Sequence, residues 1–148
     1  MRDTIKDGIY AGLIGSLGDA AIHAPAYAII GTTMTAHYIS QLIFPFKEVT
    51  TVRWLIGFVP HFFAGAIVGV VLTFIFKYFG EDYAYYKGIG LGVALWILHV
   101  AIIPNIVSPR PFIFRTETEA VVDLLAHITF GILATLYLTR LSGAKEPL

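Results

Sequence analysis

Six ionisable side chains interrupt the long apolar stretches of this chain, and they are the first candidates for chemistry. They are His23, His61, His99, His127, Asp19 and Asp123. Each aspartate precedes a histidine by four residues, a spacing that puts both side chains on one face of a helix. Ionisable groups inside a membrane are costly, usually face the bundle interior and mark a functional site. These six residues therefore form the candidate site.

Imidazole and carboxylate groups together suit a metal centre. Neutral imidazoles bind Zn, Cu, Fe and Ni, and three or four at one depth would coordinate a single ion. Asp19 and Asp123 would complete the coordination or orient the imidazoles. Haem b is the second choice, with two histidines as axial ligands and Arg110 or Arg115 binding its propionates. A single level of histidines favours a transition metal over haem.

Two other hypotheses need no bound ligand. Chains of His and Asp inside spans are typical of proton or ion relays, and handling of metal ions across the membrane would combine relay and ligand. Alternatively, the six residues only join helices by hydrogen bonds, which average about 0.6 kcal/mol in membranes. A buried Asp costs about 2.5–3.5 kcal/mol on insertion scales, which this hypothesis must explain. No motif indicates catalysis, although an open three-histidine metal site is chemically competent, so enzymatic activity is left open.

The stretches that carry these residues have the length of membrane-spanning helices. The chain is 57% hydrophobic and 14% charged, with a mean hydropathy of +0.75, whereas soluble domains are about 25% charged. A helix needs about 20 apolar residues to cross a bilayer. We therefore predict an all-α integral membrane four-helix bundle, one domain over 1–148, with spans at about 8–31, 54–76, 84–107 and 119–138.

Composition also excludes several classes of function. The absence of cysteine excludes disulfides, thiolate zinc sites, iron–sulfur clusters and covalent c-type haem. Ten basic and ten acidic residues leave no net charge, so nothing indicates nucleic acid as a partner. The bilayer is the expected partner. Association with a second copy of the chain, or with another membrane subunit, is left open.

The spacing of small residues predicts that the histidines point inward. Gly57, His61, Gly65 and Gly69 recur every four residues, and comparable stripes accompany the other three histidines. Small residues let membrane helices approach closely, so such stripes mark helix–helix contacts. Counted from the predicted outer ends, all four histidines lie roughly 10–13 Å deep. We therefore expect at least three of them to meet in the bundle.

Three prolines lie close to these histidines along the chain. They are Pro25, Pro60 and Pro104. A proline removes one hydrogen bond of its helix and frees a carbonyl oxygen. Such a carbonyl could fix the tautomer of an imidazole or coordinate an ion.

The connections between the stretches give the topology. The short turn Glu81–Tyr83 makes the second and third spans antiparallel neighbours. In the link Thr32–Arg53, the Met34–Phe46 part predicts a short amphipathic helix along the outer interface. Six basic residues on one side against four on the other favour cytoplasmic N- and C-termini. A cleavable signal peptide is the alternative for the first stretch, but Asp19 interrupts its apolar region.

Three further ionisable residues are assigned structural roles. Glu117 and Glu119 are acidic charges that favour the N-terminal end of the last helix. His37 lies in the first link, and we expect it to be a polar residue of the interface.

Three histidine motifs lie between Trp54 and Arg140, which is more than half of the chain. They are Val59-Pro60-His61-Phe62-Phe63, Leu98-His99 followed by Pro104, and Asp123 four residues before His127. With these motifs the chain resembles the YagU-type family of small bacterial inner-membrane proteins. The first span resembles it more faintly, because a member of the family has a basic residue at the position of Asp19 and a glutamate at that of His23. The family has no assigned activity, so the resemblance implies a shared inward set of polar residues in the inner membrane and no particular reaction.

Overall fold

The computed structural model describes residues 3–45, 47–103, 106 and 116–141, and within these ranges the chain is helical and contains no β-strand. It has five α-helices there, namely α1 Thr4–Ile30, α2 Thr35–Ile43, α3 Thr51–Phe79, α4 Ala84–Ile97 and α5 Glu117–Leu136. Two π-helical segments, Leu98–Ile102 and Tyr137–Leu141, continue α4 and α5. The predicted all-α class is confirmed.

Four helices are long and apolar enough to cross a membrane. They cover Thr4–Ile30, Thr51–Phe79, Ala84–Ile102 and Glu117–Arg140. These match the four predicted spans with shifted ends, apart from the predicted end of the third span at 107, which lies outside the described residues.

Polar caps explain two of the shifts. Helix α1 begins before the predicted Gly8 because the Asp3 side chain accepts hydrogen bonds from the backbone N–H groups of Ile5 and Lys6. Helix α5 begins before Glu119 because Thr116 and Glu119 form a capping box. Hydropathy places a span by its apolar residues and therefore misses the polar turn that precedes them.

The predicted short helix of the first link is present as α2. It packs against α3, and its Ala36, Tyr38 and Ser40 are buried. The contact is close, because a Cβ atom at Gly57 of α3 would collide with the carbonyl group of Ala36. Helix α2 therefore lies directly against the bundle.

Glycines bring α1 and α3 into backbone contact. A Cβ atom added to Gly69 would collide with the Gly8 carbonyl and the Gly12 amide, and one added to Gly12 would collide with Gly65. Along this contact the residue numbers rise in α1 while they fall in α3. The prediction that the small-residue stripes are helix–helix contacts is confirmed here.

Helices α4 and α5 are joined in the same way. Gly88 of α4 lies against Gly131 of α5, and Gly92 lies against the carbonyl of His127. Helix α1 packs on both α3 and α5, whereas α3 and α4 hardly touch each other. The largest apolar side chains of the core are Leu72, Phe76, Phe130 and Leu138. Because α3 and α4 are not packed together, space remains between them.

Candidate functional site

Asp19 and His23 lie one turn apart on α1 and connect this helix to three others. Both are buried, and His23 Nε2 lies 3.8 Å from Asp19 Oδ2 and 3.2 Å from Oδ1 of Asp123 on α5. Asp19 Oδ1 lies 3.5 Å from Nε2 of His61 on α3 and accepts a hydrogen bond of 3.2 Å from the Thr35 hydroxyl of α2. Asp19 and Asp123 are thus buried beside polar partners, as predicted for carboxyl groups in an apolar bundle.

His127 and His99 are joined by a hydrogen bond whose direction follows from the backbone. His127 Nδ1 lies 2.8 Å from the carbonyl oxygen of Asp123, one turn earlier on α5. A carbonyl oxygen only accepts, so Nδ1 of His127 carries a proton, and in the neutral ring its Nε2 is an acceptor. His99 Nδ1 lies 3.0 Å from that Nε2 and must donate to it. The backbone therefore sets the tautomers of both rings.

The π-helical segment explains how α2 reaches this pair. Ile103 N–H donates to the carbonyl of Leu98, five residues back, whereas in an α-helix it would donate to His99. The next possible backbone donor belongs to residue 104, a proline, which has no N–H. The Tyr38 hydroxyl donates to the His99 carbonyl instead, at 2.9 Å. Pro104 itself lies outside the described residues, but the freed carbonyl expected near it is present.

A cavity of about 300 Å³ lies among the five helices. Its polar lining residues are Ser16, Asp19, Thr35, Tyr38, His61, His99 and His127, and the remaining walls are apolar. Ile67 of α3 and Leu98 at the end of α4 both line it and are 51% and 36% exposed. Among the described residues α3 and α4 hardly touch, so these two exposed side chains place the side of the cavity between the helices at the surface.

The predicted ligands contact one another through separate pairwise contacts. His61 contacts Asp19, His23 contacts both aspartates, and His99 contacts His127. Within the described ranges, no group of three or more His, Asp or Glu side chains is arranged to hold a metal ion. The predicted haem-propionate ligands, Arg110 and Arg115, lie outside the described residues.

Three polar residues of the site were not predicted from the sequence. Tyr38 and Thr35 belong to the predicted amphipathic helix, so the polar face of that helix was the available signal. Ser16 precedes Asp19 by three residues and therefore shares its face of α1. A single serine among glycines and alanines carries no chemical signal of its own.

Glu119 is hydrogen-bonded to two other segments of the chain. Its Oε1 accepts hydrogen bonds from the backbone N–H and hydroxyl of Thr33, at 3.0 and 2.9 Å. Its Oε2 accepts from the backbone N–H and hydroxyl of Thr116, at 2.9 and 3.3 Å. The predicted role at the start of the last helix is confirmed, and the same carboxylate also fixes the connection between α1 and α2.

His37 is part of the first turn of α2. Its Nδ1 faces the backbone N–H of Met34 at 3.4 Å, and its ring stacks on Tyr27 with 5.3 Å between the ring centroids. Burial lowers the pKa of His37 below its ordinary value of 6.5, because the charged imidazolium loses solvent there. A neutral ring keeps the Nδ1 lone pair that this contact needs.

No family model matches the chain, and no curated protein or solved structure matches it either. The resemblance to YagU-type proteins therefore stays a prediction. What the site does must be argued from its own geometry.

Proposed function

We propose that this chain is an integral protein of the inner membrane whose buried histidines and aspartates take up and pass protons. The observation that carries the proposal is the continuous series of contacts from α3 through α1 and α5 to the end of α4. In order, its members are His61, Asp19, His23, Asp123, His127 and His99. We call these six residues the polar network. Its successive contacts are 3.8 Å or shorter. The contact between Asp123 and His127 runs through the backbone carbonyl of Asp123, which only accepts, so protons pass within two parts of the network, from His61 to Asp123 and between His127 and His99.

We further propose that the four long helices cross the membrane as an antiparallel bundle. Support comes from the opposite numbering of α1 and α3 along their glycine contact. In this arrangement α2 lies at the outer interface, and both termini are cytoplasmic, as the distribution of basic residues favours. The polar network then lies in the outer half of the bundle, and the glycine contact of α1 and α3 fills the inner half.

Proton exchange accounts better than packing alone for aspartates whose insertion into a membrane span costs free energy. An Asp inside a span costs about 2.5–3.5 kcal/mol, whereas an interhelical hydrogen bond contributes about 0.6 kcal/mol. Imidazole is the side chain whose charge changes between about pH 5 and 8, and its two nitrogens let it accept a proton at one atom and release one at the other. The hydrogen bond between His99 and His127 joins two such rings. The polar network therefore supplies protons to the adjacent cavity.

Nitrogen-15 NMR of the imidazoles in reconstituted protein tests this proposal. We expect at least one ring of the polar network to change its protonation state between about pH 8 and 5, the range in which imidazole exchanges protons. Asp123→Asn preserves the shape and much of the hydrogen bonding of this residue but removes its charge, so the imidazole spectrum of His23, 3.2 Å away, should change. Asp82→Asn, in the exposed turn between α3 and α4, is the matched control and should change nothing. Rings that keep one protonation state throughout this range would instead support a purely structural role.

A transition metal is the second candidate, and the shared cavity favours it. His61, His99, His127 and Asp19 all line that cavity, and imidazole and carboxylate are ligands for Zn, Fe, Cu and Ni. Binding would require His127 Nε2 to exchange its hydrogen bond from His99 for the metal. Elemental analysis after dialysis against zinc, with His99→Ala and His127→Ala as variants, tests it. Metal bound by the native chain and lost in both variants would support the centre, and a Soret band would indicate haem b instead.

A further inference from the structure

We propose that the cavity binds a lipid-soluble ring compound bearing a carbonyl or hydroxyl oxygen, of the quinone or phenol class. The ligand enters from the membrane between α3 and α4. This inference goes beyond proton exchange in the polar network and does not depend on it. It rests on the walls of the cavity, its opening, and two buried polar atoms.

The walls suit an apolar ligand that arrives from lipid. Val68 and Leu95 line the space from α3 and α4, and Phe130 lines it from α5. A volume of about 300 Å³ is at the lower end of the range of ligand pockets, which are mostly apolar with a few placed polar groups. The opening between α3 and α4 is bordered by the exposed side chain of Ile67. A membrane-dissolved molecule can therefore reach the cavity sideways.

Two buried atoms at the polar end are left for a ligand. Ser16 Oγ and His61 Nε2 have no hydrogen-bond partner among the residues that the structure describes. Ser16 is fully buried and lies against Gly65, one turn from His61 on α3, and both polar residues line the cavity. His61 Nε2 is 3.5 Å from Asp19 Oδ1, but this contact is not an aligned hydrogen bond. Buried polar atoms are normally paired, so each such exception needs an explanation.

The chemistry of these atoms selects an oxygen on the ligand. A serine hydroxyl and an imidazole can each donate or accept, which fits a carbonyl or a ring hydroxyl. A cation is disfavoured, because the Asp19 carboxylate already accepts a hydrogen bond from Thr35 and lies beside His23. A plain hydrocarbon chain would leave both polar atoms unpaired. A ring compound bearing one oxygen can pack against the apolar walls and form hydrogen bonds with Ser16 and His61 at the same time.

Binding to the full-length protein in detergent micelles tests this inference by quenching of tryptophan fluorescence. Trp96 directly follows Leu95 of the cavity wall and therefore reports on the site. The probes are decylubiquinone for the quinone class and nonylphenol for the phenol class. Decylbenzene has a ring and a tail but no oxygen, and it serves as the control ligand.

Three variants separate the cavity from general adsorption. Ala64 lines the cavity and is exposed, so Ala64→Phe adds a ring at the rim of the cavity and should abolish saturable binding, whereas Ala94→Phe adds the same ring at an exposed position outside the lining and should bind normally. Ser16→Ala removes one hydroxyl and should weaken binding about fivefold, the effect of one neutral hydrogen bond.

The outcome of the titrations is decisive in both directions. Saturable binding of either oxygen-bearing probe, absent with decylbenzene and lost in Ala64→Phe, would support the inference and show which class is preferred. Equal binding of decylbenzene would overturn it, since the oxygen would then be irrelevant. Binding that persists unchanged in Ala64→Phe would overturn it as well, because the ligand would lie elsewhere.

Discussion

The Tyr38 hydroxyl supplies a hydrogen bond that the backbone of α4 cannot make. The His99 carbonyl has lost its normal partner, because Ile103 N–H donates to Leu98 and residue 104 is a proline. Tyr38 is only 4% exposed, so its bond to this oxygen is sheltered from solvent. One side chain of α2 thereby holds the backbone that carries a histidine of the polar network.

At this scale we predict that Tyr38→Phe destabilises the protein by about 1–3 kcal/mol, the usual cost of leaving a buried acceptor unpaired. The free energy of unfolding, measured by denaturant titration in mixed micelles, checks this value. Tyr86→Phe is the matched control, because Tyr86 is 78% exposed, and it should change stability by less than about 0.5 kcal/mol. Equal effects of the two substitutions would contradict the assigned role of Tyr38.

Among the helices, the contact of α1 with α3 leaves no room for a side chain at Gly69. We predict that Gly69→Ala destabilises the protein by about 1–3 kcal/mol, because the new methyl group meets the backbone of Gly8 and Gly12, which cannot rotate away. Gly90→Ala is the control, since a Cβ atom there meets nothing within 4 Å. It should be neutral or stabilising by up to about 1 kcal/mol, the difference in helix propensity. The same unfolding titration measures both, and a harmless Gly69→Ala would show that the helices separate easily.

The connection between α1 and α2 depends on a single carboxylate of α5. We predict that Glu119→Ala frees the Thr33 amide, so that its hydrogen exchange becomes faster by about tenfold or more. Glu117→Ala removes the same side chain two residues earlier, where it is exposed, and should leave Thr33 unchanged. Hydrogen–deuterium exchange read by mass spectrometry distinguishes the two. Unaltered exchange in Glu119→Ala would mean that α2 is held by its other contacts.

The sequence predicted the helices better than it predicted the pairing of the site residues. Apolar length alone places all four long helices, because a bilayer needs about 20 apolar residues whatever their order. It does not reveal the caps at Asp3 and Thr116, which are polar. The partner of each ring depends on which helices touch, so the link from Tyr38 to His99 has no signature in spacing. The π-helical segment is indicated only indirectly in the sequence, by the proline five residues after His99.

For the molecule as a whole, the absence of cysteine makes topology directly measurable. We predict that single cysteines at Glu48 and Asp82 react with a membrane-impermeant maleimide from opposite sides of the membrane, Glu48 from outside and Asp82 from the cytoplasm. Both residues are exposed in connections at opposite ends of α3. Labelling of intact cells and of inverted vesicles checks this. Labelling of both positions from the same side would refute the crossing of the membrane by α3.

The π-helical segment also means that the last turn of this span contains one more residue than an α-helix of the same rise needs. Deleting Val100 would shorten the chain by that residue and let the ordinary helical ladder close, with the present Ile103 donating to the same Leu98 carbonyl, now four residues back. The residue four positions after His99 would then be Pro104, which has no N–H, so the Tyr38 hydroxyl would keep its acceptor. Loss of one codon at this point is therefore a mutational step that removes the π-helical turn and leaves α2 joined to the histidines.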